Sequence, residues 1–156
     1  MPKALIAGVD MVKFVKPGQQ APFRAMASSA ILGALTDAGI GPELVQQAYA
    51  GYIYGDSTCG QYALYDAFMT GIPVINVNNN CSSGSTAIYL ARQAVEGGEV
   101  ECALAFGFEE MQPGALKSHW DDRESPFEGF LNVLDKASYP AGPLALRCFG
   151  AAGHYY

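Results

Sequence analysis

Positive charge is scarce in this chain. Nine lysines and arginines stand against fifteen aspartates and glutamates, a formal net charge of −6 over 156 residues. Nucleic-acid binding draws on a basic footprint, so no nucleic-acid partner is expected. Histidine is scarcer still, with only His119 and His154. The four cysteines, Cys59, Cys81, Cys102 and Cys148, show no Cys-x-x-Cys spacing and no paired Cys/His pattern. Neither a zinc site nor a disulfide framework is indicated, and no metal is expected. Buried thiols in such a chain suit a reducing, cytoplasmic compartment. Long uncharged stretches are all interrupted by Gly, Pro, Asn or Ser, so no segment reads as a membrane span. The first residues lack the length and flanks of a signal peptide. The closing His154-Tyr-Tyr156 is not a Ser-Lys-Leu peroxisomal address, although a longer eukaryotic chain could carry one.

Half of the residues are hydrophobic and 15% are charged, which suits a globular chain able to bury a core. Residues 3–9 read as a first buried strand. Phe23 to Ala38 reads as a helix, with Ala25, Ser29, Leu32 and Thr36 along one face and Gly39 as its stop. Gly41-Pro42 breaks the chain and Pro42-Glu43 opens a short helical turn. Residues 46–54 read as a strand, 61–69 as a short helix, 72–79 as a strand, 82–96 as a helix and 102–108 as a strand. This alternation predicts an α/β domain with a mainly parallel or mixed sheet. Thr86 to Ala91 carries no charged side chain, so the helix containing it is expected to be buried between layers. From Gln112 onward charges, aromatics and prolines mix with weak periodicity. Nine of the fifteen acidic residues fall between Glu99 and Asp135, and that stretch is a poor cradle for a polyanion.

The densest chemistry lies in Pro73-Val-Ile-Asn-Val-Asn-Asn-Asn-Cys81-Ser-Ser-Gly-Ser-Thr-Ala87. An apolar strand runs through three asparagines to a cysteine, and small residues then open a helix. A helix N-terminus favours negative charge, and the thiolate is the attacking form of cysteine. Cys81 is therefore the candidate nucleophile for acyl transfer. Asn78 to Asn80 can cap the helix or orient the cysteine loop. Ser82 and Ser83 suit first-turn packing, and Gly84 suits close backbone approach.

Residues Asn76 to Ala87 resemble the nucleophile segment of thiolases, specifically the sterol-carrier-protein type. Val9-Asp-Met-Val-Lys-Phe-Val-Lys-Pro-Gly18 and Gly51-Tyr-Ile-Tyr-Gly-Asp-Ser-Thr-Cys-Gly-Gln61 resemble that family's first two strand–loop segments. Met69-Thr-Gly-Ile-Pro73, Ala91-Arg-Gln93, Glu96-Gly-Gly98, Phe106-Gly-Phe-Glu-Glu-Met111 and Phe149-Gly-Ala-Ala-Gly153 continue in the same order. The resemblance covers nearly the whole chain but only the first of the family's two similar halves. It implies an N-terminal α/β domain over 1–111, with a buried central helix after the nucleophile, and the start of a loop domain over 112–156. It further implies thiolase activity of the acetyl-CoA C-acyltransferase type on 3-oxoacyl-CoA in lipid metabolism. Cys81 would be the catalytic nucleophile, with Asn80, Ser82 and Gly84 near the substrate.

No bound cofactor is implied; the coenzyme A thioester is the substrate. The family's catalytic histidine and second cysteine have no counterpart here, since neither histidine is followed by proline or sits in a His-Asp-Cys context. A homodimer or a complementary C-terminal half is the expected partner. The alternative is a non-catalytic truncated thiolase-fold protein serving as a dimerisation or lipid-binding partner. An aldolase-like relative is disfavoured, because such a relative needs no nucleophilic cysteine. A Cys81–His119 dyad has no supporting pattern, and Arg123 beside Asp122 reads as a surface ion pair.

Overall fold

The computed structural model describes residues 3–112 and 120–156. The chain divides into two compact units, Met1–Pro113 and Gly114–Tyr156.

In the first unit, helix α1 (Phe23–Ala38) ends at Gly39, whose φ of 67° is the left-handed cap that glycine adopts without a Cβ penalty. The Ile40 N–H then closes back on the Leu35 carbonyl at 3.2 Å. A 3-10 turn at Pro42–Leu44 leads into β1 (Gln47–Gly51), α2 (Cys59–Tyr65), β2 (Val74–Val77), α3 (Ser83–Glu96) and β3 (Ala103–Gly107). The strands form one parallel sheet in the order β2-β1-β3. Gly51 pairs with both Val77 and Gly107, so all three strands end at one level.

Alternation along the strands separates two apolar layers. Ala48 and Leu104 face one side, where Ile31 and Leu35 of α1, Val45, Leu64 of α2 and Phe68 complete the core. Tyr49 faces the other side and meets Ala87, Ala91 and Ala94 of α3. The three alanines bring α3 close to the sheet. On α1 the buried stripe is Ala27, Ile31 and Leu35, while Ala25, Ser29, Leu32 and Thr36 face outward.

Three sequence expectations are corrected. Residues 3–9 form no strand: Leu5 and Ile6 are exposed, and the segment is tied through the Val9 N–H to Asp37 at 2.9 Å. It finds no strand to pair with among the described residues. The helix after Cys81 buries one face only, against the sheet, and Ile88 and Tyr89 lie exposed on the other. The third concerns the stretch after Gln112, which was expected to be irregular. The second unit contains α4 (Glu128–Lys136) and α5 (Leu144–Tyr155). These two helices are joined by an Arg147–Asp135 ion pair at 2.5 Å. Pro140, Gly142 and Pro143 lie between the helices, while Gly129, Gly150 and Gly153 lie inside them and blur the pattern. No described helix is long and apolar enough to cross a membrane.

Candidate active site

The level carboxyl ends of the three strands set up the site. Ligands in open parallel α/β sheets gather outside such ends. The chain leaves β2 at Val77, passes through Asn78–Asn80, presents Cys81 and enters α3 at Ser83. Asn80 has φ 49°, a left-handed conformation that asparagine tolerates better than most residues. This sharp turn leaves Cys81 exposed.

Ser83 holds the turn together. It is 4% exposed, and its hydroxyl accepts the Asn79 N–H and donates to the Asn80 carbonyl, both at 2.8 Å. The backbone adds Ser82 N–H to the Asn79 carbonyl and Ser83 N–H to the Asn80 carbonyl, each at 3.0 Å. Asn79 donates its side-chain amide to Thr86 at 2.9 Å, and the Asn80 N–H reaches the Asn78 side chain at 3.3 Å. Asparagines 78 and 79 therefore brace the loop. Ser82 occupies the N-cap position without a side-chain cap bond. Asn80, Ser82 and Gly84 are all exposed beside Cys81, and among the described residues nothing outside its own helix turn lies within 4 Å of a Cβ placed on Gly84.

The exit of β1 faces this turn. Tyr52, Ile53, Gly55, Asp56 and Ser57 line a small cleft opposite Asn76, Val77 and Asn78. The exit of β3 braces the same region. The Phe108 N–H bonds the Gly51 carbonyl at 3.3 Å, and the Phe108 ring stacks on Tyr52 and Phe23 at 4.9 Å each. The Glu109 carboxylate accepts the Ile53 N–H at 3.1 Å and the Tyr54 N–H at 3.0 Å. Glu110 accepts the Phe23 N–H at 3.0 Å, capping α1. Glu109 and Glu110 escaped the sequence reading as functional residues, although Gly-Phe-Glu-Glu-Met stood among its quoted motifs.

Burial raises the Glu109 carboxyl above its ordinary value, and the two amide hydrogen bonds pull partly against that. Burial also raises the Tyr54 phenol, with negative charge on Glu109 and on Cys81 adding to the shift. Because the folded-state pKa of Glu109 is raised, the folded protein holds this proton longer than the unfolded chain does. Its contribution to stability is present below the unfolded pKa and is lost as pH rises through the folded value. Urea midpoints of the wild type relative to Glu109→Gln are expected to fall as pH rises above the ordinary glutamate value of about 4.3. A flat difference above that value would contradict the burial of this charge.

Residues 5–126 match the sequence model of the thiolase N-terminal domain. The chain belongs to the thiolase family. It is 49% identical to sterol carrier protein 2 of Oryctolagus cuniculus over 157 aligned positions, covering 98% of this chain and 29% of that protein. It thus spans less than a third of that relative's length. A more distant relative is the benzoylsuccinyl-CoA thiolase subunit BbsB of Thauera aromatica, 38% identical over 69% of this chain and 28% of the subunit. The acetyl-CoA acetyltransferase of Syntrophomonas wolfei superposes with a TM-score of 0.54 at 17% identity. That match covers 61% of this chain and 26% of the enzyme, a likeness of fold.

His119 falls outside the described residues. His154, near the end of α5 in the second unit, meets Tyr139 edge-on with ring centroids 6.5 Å apart. Arg123 forms an exposed pair with Asp122 at 2.8 Å and lies over the Trp120 ring. Cys59 and Cys102 are partly buried, and burial pushes both thiols up. Among the described residues no cluster of His, Cys, Asp and Glu could hold a metal.

Proposed function

We propose that this chain carries the nucleophile-bearing part of a thiolase acting on 3-oxoacyl-coenzyme A. The observation that supports this most is the exposed Cys81 on a strand–turn–helix whose backbone is fixed by Ser83, Asn79 and the left-handed Asn80. The Cys81 thiolate attacks the 3-oxo carbonyl carbon, forming a C–S bond. The C2–C3 bond breaks, its electron pair stays on C2, and C2 takes a proton as acetyl-CoA leaves, with the shortened acyl group held on Cys81. A second coenzyme A thiol then carries the acyl group away. The chain offers Cys81 no described histidine in its own unit, so complete turnover would draw its proton-transfer groups from a further segment or subunit. A thiolase subunit of Thauera aromatica named for an acyl-CoA substrate supports the substrate class.

A partner surface is a second element of the proposal. The exposed Leu5, Ile6, Phe14, Ile88 and Tyr89 of the first unit suit association with a complementary half or a second copy. A non-catalytic binding role would rest on this apolar surface alone.

The test is intact mass of the purified chain before and after brief exposure to acetoacetyl-coenzyme A. An acetyl-sized gain is expected on wild type and none on Cys81→Ala. Wild type without a gain, folded and with its thiol free, would remove the acyl-transfer reading and leave the binding role.

A further inference from the structure

We propose that Glu109 is a positioning residue for Cys81: its carboxylate holds the Ile53 and Tyr54 peptide groups and so fixes the β1 exit against the cysteine turn. This deepens the acyl-transfer reading and rests on it for its catalytic consequence. The chain that leaves β1 has no helix or strand to order it until α2 begins at Cys59. Its first two amides beyond Tyr52 would project from the sheet end. Both go instead to one carboxylate more than fifty residues away in sequence, at 3.1 Å from Ile53 and 3.0 Å from Tyr54. Two successive N–H groups held by the two oxygens of one carboxylate fix the peptide plane between them.

Glu109 is itself anchored. Its neighbours Phe108 and Glu110 are tied to Gly51 and Phe23, and Met111 accepts the Gln20 side-chain amide at 2.7 Å. Every residue from 108 to 111 thus contacts a different earlier part of the unit. The held segment is one wall of the cleft whose other wall, Asn76 to Asn78, leads directly to Cys81. The Glu109 carboxylate therefore sets the relation between the β1 exit and the loop that leads to Cys81.

The test compares wild type, Glu109→Gln and Glu109→Ala. Gln keeps an acceptor oxygen for the two amides; Ala removes it. Acyl transfer to Cys81 from acetoacetyl-coenzyme A is expected to slow by about a hundredfold in Glu109→Ala. Glu109→Gln is expected to recover most of the rate. Alkylation of Cys81 by iodoacetamide, which needs no positioned thioester, is expected to stay within about twofold throughout, far from the hundredfold that misplacement costs. Equal acyl-transfer rates in Ala and wild type, or Gln as slow as Ala, would overturn the proposal.

Amide NMR supplies a readout independent of acyl transfer. The Ile53 and Tyr54 N–H shifts should follow the titration of Glu109 in wild type and lose that response in Glu109→Gln, and Glu109→Ala should shift the Cys81 amide. If Glu109→Ala does not fold, the first comparison decides alone. Absence of the Ile53 and Tyr54 response overturns the proposal whether or not wild type accepts an acyl group. Failure of wild type to acylate with those responses present would strike the acyl-transfer reading alone.

Discussion

Gly51→Val is expected to remove about 3 kcal/mol of stability, the upper part of the range for overpacking a close-packed site. A Cβ at Gly51 would lie 2.7 Å from the Ser83 carbonyl carbon and oxygen and 2.9 Å from the Gly84 nitrogen. These are backbone atoms, so no side-chain rotation relieves the clash. Either the central strand leaves its register with β2 and β3, or the first turn of α3 moves outward. The second course displaces Ser83, and with it the two hydrogen bonds that hold Asn79 and Asn80. The loss of stability should therefore come with altered iodoacetamide reactivity at Cys81. A lowered urea midpoint at unchanged slope is the expected signature of the stability effect. The matching control is Gly84→Ala, where a Cβ would meet open space. That change is expected to stay within about 0.5 kcal/mol of wild type or to stabilise the helix slightly. Equal midpoints for Gly51→Val and wild type would mean that α3 does not rest on the end of β1.

The second large effect is expected at Ile31. It is 1% exposed and meets the core shared by α1, α2 and the sheet. Ile31→Ala should cost about 2–5 kcal/mol, from lost transfer free energy plus the cavity left behind. For a chain of this size each kcal/mol corresponds to about 2–4 °C in melting temperature. Leu5→Ala removes a side chain of similar size from a position 88% exposed, and should change stability by less than about 0.5 kcal/mol. Near-equal melting temperatures for the two variants would contradict the burial of α1 on the sheet. Hydropathy alone ranks Leu5 and Ile31 alike. Only packing separates them.

That contrast marks where sequence reading succeeded and where it stopped. Gly39 and Gly41-Pro42 punctuate the chain, so the end of α1 and the turn after it were legible from local chemistry. The strands around Tyr49, Ile75 and Leu104 were legible because apolar residues recur between breakers. Residues 3–9 carry the same apolar signal without becoming a strand, because strand formation needs a pairing edge that no local pattern reports. α3 looked apolar all round, and its composition could not say that only the alanine face meets protein within this chain. At the site, Cys81 was legible because cysteine between asparagines and a small-residue helix start is a chemical pattern. Ser83 was treated as one of two equivalent small residues, and only the fold shows that it, and not Ser82, carries the side-chain bonds. Glu109 was hidden for a different reason. An acidic residue after a strand reads as loop polarity, and its partners are amides more than fifty positions earlier, which carry no side-chain signature.

The long-range ties of residues 108–111 have a consequence for biosynthesis. A chain is synthesised from its N-terminus, so Cys81 is made before Glu109 and Glu110. Until they arrive, the Ile53 and Tyr54 amides lack their acceptor and the α1 N-terminus lacks its Glu110 cap. Strand β3, which completes the sheet beside β1, also comes later. The setting of the thiol is therefore completed late: Cys81 reaches its finished surroundings only once the chain through Met111 is free to fold back on segments made before it.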